Sequence, residues 1–160
     1  MKTKYVALIV CLFVQLTARS QTLPTKKEQY DFLRWYIKST KPKSLSNVII
    51  RFDENMVVLG SIKLNNSNVK YLKKQLGTYI EGASLDTTIL KGNYWSAKSD
   101  TNRSTINLSL PIFSINKRIV AIHWETRCGW ECGGDHIEVY EKNKAGHWVV
   151  SKRVIKSIYQ

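Results

Sequence analysis

Cysteine is sparse, long apolar runs are missing, and acids are outnumbered about two to one. The 160-residue chain has three cysteines, 12 Asp and Glu, and 25 Lys and Arg, giving a formal charge of +13. The longest apolar run, Val6 to Val14, is nine residues. A membrane-spanning helix needs about 20, which excludes one here. Several catalytic signatures are absent as well. There is no G-x-S-x-G nucleophile elbow, no phosphate-binding Walker loop, no G-x-G-x-x-G dinucleotide turn and no H-E-x-x-H zinc motif. His136-Ile137-Glu138 has the H-x-E of zinc deaminases, but no P-C-x-x-C follows it. Asp53 and Glu54 are adjacent and would diverge on a strand, so a turn tip suits them better than acid–base work.

The short apolar run does have a use. Lys2 and Lys4 precede it, and Ala18-Arg19-Ser20 puts small residues at −3 and −1 of a cut before Gln21. This is the pattern of a bacterial secretory signal over residues 1–20. The expected product, residues 21–160, is a single domain in the periplasm or outside the cell. Without Lys2, Lys4 and Arg19 its charge falls by three, to +10. Export excludes intracellular nucleic acid as the partner. It leaves a protein or an anionic surface component of the envelope. The lysines are dispersed as pairs, such as Lys73-Lys74 and Lys142/Lys144, which is also what solubility alone requires.

Periodicity predicts an α+β domain. Thr25 and Glu28 have capping-box spacing, and Tyr30, Leu33, Tyr36 and Ile37 then fall on one helix face, widened by Phe32 and Trp35. Pro42 ends this N-terminal amphipathic helix. The β-branched segments 47–52 and 56–64 read as a hairpin about residues 53–55. A second short helix is expected over 66–77, with Ser67 or Asn68 as cap, Val69, Leu72 and Leu76 sharing a face, and Gly77 as terminator. Residues 78–95 suggest two irregular strands, and 96–104 a loop. Ile106, Leu108, Leu110 and Ile112 alternate, with Pro111 demanding an edge position. Val120, Ile122 and Trp124, then Ile137 and Val139, then Trp148, Val150 and Val154, mark three more strands. Short turns between them predict an antiparallel β-meander.

The stretch HWETRCGWECGGDH, residues 123–136, carries the candidate chemistry. Once Cys11 leaves with the signal, Cys128 and Cys132 are an even pair in an oxidising compartment, so a disulfide is expected. A five-residue ring adds only about 2 kcal/mol, so it would shape the loop more than hold the fold. Trp130 and Glu131 sit inside the ring as candidate contact residues. A redox role fits less well, since C-x-x-x-C between strands lacks the helix N-terminus that lowers a thiol pKa. If the apolar residues of both flanking strands share the core face, then His123, Glu125, His136 and Glu138 share the other. Imidazoles and carboxylates are zinc ligands, so those four form the candidate metal or hydrolase face. The alternative is a solvated face of His/Glu cross-strand pairs.

The run PIFSINKRIVAIHWE…CGWECGGDHIEVYEKNKAGHWVVSKRVIKSI resembles small secreted proteins of Bacteroidota-type bacteria that share a C-G-x-x-C-G-type hairpin loop. The resemblance covers the C-terminal third. It departs at Trp130-Glu131 and at Asp135-His136, where small residues are more usual. It implies export and the hairpin, and no activity, cofactor or catalytic residue. The sequence therefore reads as a non-enzymatic exported domain that binds a protein or surface partner. An inhibitor-like protein with a plugging loop is a variant of the same reading.

Overall fold

A computed structural model describes residues 22–52, 66–78, 82–95, 104–128 and 132–159. In chain order the elements are α1 (Lys26–Thr40), β1 (Leu45–Ile49), α2 (Asn66–Leu76), β2 (Thr105–Leu108), β3 (Ile112–Phe113), β4 (Ile119–Cys128), β5 (Cys132–Lys142) and β6 (Trp148–Tyr159). The α+β class holds. The strands form one sheet in the order β1-β2-β4-β5-β6, with β3 beside β4.

The sheet is mixed, which corrects the expected meander. β3, β4, β5 and β6 do pair antiparallel with their sequence neighbours. β1 instead lies parallel to β2, with Leu45 opposite Ile106. Parallel neighbours need a long crossover, and α2 lies within it. The expected hairpin partner of β1, residues 56–64, falls outside the described residues, as do 53–55 and 96–103. Residues 82–95 contribute only isolated bridges at Ser84 and Trp95 rather than strands.

α1 forms where the capping box predicts. The Thr25 side chain accepts from the Glu28 N–H, and the Glu28 carboxylate accepts from the Thr25 N–H at 2.9 Å. Lys41, before Pro42, closes the helix in the left-handed region at φ 48, its N–H bonded to Ile37 O. The face bearing Phe32, Leu33, Tyr36 and Ile37 is buried against Val120, Ile122 and Tyr140 of the sheet. α2 covers the opposite face: Leu72 and Leu76 pack with Ile112, Ala121, Ile137 and Val139. Ser67 and Asn68 lie inside α2 rather than capping it. Asn68 Oδ1 accepts from the Ile115 N–H instead. Gly77 follows α2 without entering the left-handed region, its N–H bonded to Lys73 O at 3.3 Å.

Burial on both faces changes what the alternation means. A strand between two apolar layers points core residues both ways. Val120 and Ile122 face α1, while Ile137 and Val139 face α2. Between β2 and β3 the register against β4 slips by one residue: Leu108 is opposite Trp124, but Ile112 is opposite Ala121. The extra residue turns Ile112 away from the face of Ile106 and Leu108, so the four alternating residues do not share one side. Among the described residues β3 pairs only with β4, the edge position Pro111 demands.

That edge is completed by a side chain. The fully buried Gln75 amide of α2 donates to Phe113 O at 2.7 Å and accepts from the Phe113 N–H at 2.9 Å. It replaces the peptide group a further strand would supply. Gln75→Leu keeps the volume and leaves two buried backbone groups without partners, each costing about 1–3 kcal/mol. Urea denaturation is expected to show a loss of about 2–4 kcal/mol. A loss below about 0.5 kcal/mol, the range of ordinary surface changes, would mean that the amide does not hold the edge.

Candidate functional sites

The β4–β5 register settles where the four candidate ligands stand. Trp124 pairs with His136, Ile122 with Glu138, His123 with Ile137 and Glu125 with Asp135. Even residues pair with even ones, one step from the expected registers. His136 and Glu138 therefore face α1, and His123 and Glu125 face α2. The four do not form one constellation, and no group of three or more His, Cys, Asp or Glu among the described residues is placed to hold a metal ion.

Facing α2, His123 is buried and bound at both ring nitrogens. Nδ1 meets Arg51 O at 3.0 Å, and Nε2 meets Asp135 Oδ1. A carbonyl only accepts, so Nδ1 donates to Arg51 O, which leaves Nε2 to the carboxylate. Phe52 packs edge-on against the imidazole at 6.0 Å. With both nitrogens engaged, His123 is a tie between β4, β5 and the segment after β1 rather than a base facing a substrate. Asp135 is the partner that sequence reasoning missed. Its signal was its place across from Glu125, one residue from the position assumed. Glu125 is partly exposed and pairs with Arg127 at 3.1 Å.

Facing α1, Glu138 is only 2% exposed. Tyr140 donates to it at 2.6 Å, and Arg153 of β6 donates through Nε at 2.6 Å. The Tyr36 hydroxyl of α1 also reaches this carboxylate. Burial raises the pKa of both phenols, and the Glu138 charge adds to it, so both keep their protons and act as donors. The charge is thus compensated by one guanidinium and two hydroxyls, as a buried ion needs.

His136 stacks flat on Trp124, 4.1 Å between centroids with 2° between planes. Its Nδ1 and the Trp124 Nε1 are buried without hydrogen-bond partners. Burial lowers the His136 pKa from 6.5, and the Arg153 charge lowers it further, against smaller opposing effects of Glu138 and Asp135. The ring is held neutral.

At the hairpin end the register sets Cys128 opposite Cys132. Trp130 and Glu131 lie outside the described residues.

The basic character that composition suggested has a location. Lys70, Lys73 and Lys74 are exposed on one side of α2, at the i, i+3, i+4 spacing of a helix face. There is no acid in its first turn, and none of the three has an ion-pair partner among the described residues. α1 differs: Lys26 pairs with Asp86, and Lys27 and Arg34 both pair with Asp31. Comparison with protein-family models, with curated proteins and with solved structures finds no match.

The depressed His136 pKa has a testable sign. Below about pH 6.5 the unfolded chain takes up a proton that the folded ring refuses, so stability falls as pH drops through that value. His136→Phe keeps the stacking and removes this loss. Its stability relative to wild type is expected to rise between about pH 7 and pH 5, followed by denaturant melts across that range. A constant difference between the two proteins would contradict a neutral His136.

Proposed function

We propose that this chain is an exported, non-enzymatic domain that binds the phosphate-bearing head groups of an anionic envelope surface through the basic side of α2. The three exposed lysines of α2, without an ion-pair partner among the described residues, carry the reading. Exposed lysines are ordinary singly, but three on one side of a short helix that itself carries no acid concentrate positive potential. The helix keeps its apolar side on the sheet, so the contact is electrostatic and needs no insertion. Near an anionic lipid surface each lysine contributes about 1 kcal/mol, attenuated by salt. The signal-like residues 1–20 support delivery to that surface. The buried, internally bonded states of His123 and Glu138 support a binding role over hydrolysis.

The mature chain is expected to sediment with phosphatidylglycerol vesicles at low salt, to leave them at high salt, and to ignore phosphatidylcholine. Replacing Lys70, Lys73 and Lys74 together by Gln should weaken binding on the order of a hundredfold. Equal binding by the triple variant would place the contact elsewhere. Capture by an acidic polysaccharide and not by the vesicles would reject the head-group assignment.

The hairpin end belongs to the same proposal. Directly opposed residues of an antiparallel pair have Cα atoms about 4.5–5.5 Å apart, within the range a disulfide spans. Cys128 and Cys132 are therefore proposed to be bonded in the exported protein. The unreduced mature chain should weigh two hydrogens less than the reduced one and begin at Gln21. Identical masses would exclude the bond.

A further inference from the structure

A cleft of about 210 Å³ opens between the first turns of α1 and the turns that follow β3 and β5. Phe32, Phe113 and Trp148 form its apolar part, and Glu28, Asp31, Lys117 and Lys142 its charged rim. We propose that this cleft binds a small, hydroxylated, ring-shaped carboxylate, of which a uronic acid is the simplest form. It is separate from the α2 lysines, which lie across the sheet.

The sign of the ligand follows from which rim charges already have partners. Glu28 is bonded to Thr25 and to Lys117. Asp31 accepts from Lys27 at 2.6 Å and from Arg34 at 2.8 Å. Both acids are neutralised within the protein, and Lys117 is neutralised with them. Lys142 differs. Its ammonium lies 4.7 Å from the centroid of the Trp148 ring, and among the described residues it has no carboxylate partner. A cation held only by an aromatic face gains more from an anion, because a charge-assisted hydrogen bond exceeds a half-exposed cation–π contact. The unmatched charge of the cleft is positive, so its ligand is negative.

The shape of the ligand follows from the floor. Trp148 is held edge-on to Phe32, 5.4 Å between centroids at 89°, and Phe113 packs beside both. The indole is thus held by its aromatic neighbours, is partly exposed, and carries the Lys142 ammonium over its face. When Lys142 turns to a carboxylate, that side is free to receive the apolar face of a ring. The cleft is smaller than the roughly 300 Å³ at which drug-sized sites begin, so it takes one ring. Hydroxyls on the ring fit the rim, since a carboxylate has about four acceptor directions and Asp31 uses two. A bare aromatic acid would leave those acceptors unused.

The test is titration of the isotope-labelled mature chain with glucuronate, glucose and benzoate, read from the Trp148 indole N–H resonance. Glucuronate is expected to shift it saturably, and glucose and benzoate at least tenfold more weakly. Lys142→Gln, at the half-buried end residue of β5 outside the core clusters, should weaken glucuronate at least tenfold while its thermal unfolding matches wild type. The triple α2 variant should bind glucuronate like wild type, so failure of vesicle binding leaves this proposal standing. Equal binding of glucose would overturn the anion argument, and tighter benzoate binding the hydroxyl argument. An unchanged Lys142→Gln affinity, or no saturable shift with glucuronate, would overturn the site itself.

Discussion

One register governs this molecule, that of β4 against β5. It pairs Ile122 with Glu138 and His123 with Ile137. Since side chains alternate across a sheet, a slip of one residue would exchange every side chain of β5 between the α1 and α2 layers. The present pairing places each buried ionisable group beside its complement. Glu138 meets Tyr36, Tyr140 and Arg153, and His123 meets Asp135 and the Arg51 carbonyl. The slipped pairing would turn the Glu138 carboxylate from those three donors toward Leu72 and Leu76 of α2. The buried charges add little net stability, because desolvation offsets most of their attraction. They penalise the alternative pairing instead.

The two helices complete that constraint from opposite sides. α1 brings an aromatic layer in which Phe32, Trp35 and Tyr36 pack around Tyr140 with mostly perpendicular rings. α2 brings fewer apolar residues and two bonded amides, Asn68 and Gln75. Its Gln75 acts as a piece of backbone, and its other side keeps Lys70, Lys73 and Lys74 in water. One short helix thus terminates a strand edge with one side and presents charge with the other. The proposed contact with an anionic surface therefore rests on the element that also closes the sheet.

Much of this was legible in the sequence, and the rest was lost for identifiable reasons. α1 is fully announced by Thr25, Glu28 and the aromatic stripe, because capping and 3.6-residue periodicity are local. The strands β4, β5 and β6 are announced by alternation. Their relative phase is not, because alternation looks the same whether one face of a sheet is buried or both. Assuming one apolar face led to a common face for His123, Glu125, His136 and Glu138. The presence of α2 in the sequence was the available sign that a second layer existed. The parallel pairing of β1 was invisible for a different cause: its partner is remote, and nothing in Leu45–Ile49 names it. The α2 lysines were noticed as a pair. They became a surface only once Leu72 and Leu76 fixed which way the helix faces.

The parallel pairing of β1 and β2 has a consequence for the order in which the protein is assembled. The C-terminal strands are joined by short turns and meet their partners as soon as they exist. Among the described residues β1 bridges residues 84 and 95 and pairs along its length only with β2. Its partner is synthesised more than fifty residues later, and closing so long a loop costs entropy before any ladder bond repays it. α1 faces the same delay, since Val120, Ile122 and Tyr140 that cover its aromatic side come from the far end of the chain. The apolar layer of α1 is therefore completed only when the C-terminal strands arrive. Under the export proposed above, lateness of this kind is an advantage: the leading segment precedes the strands that cover it.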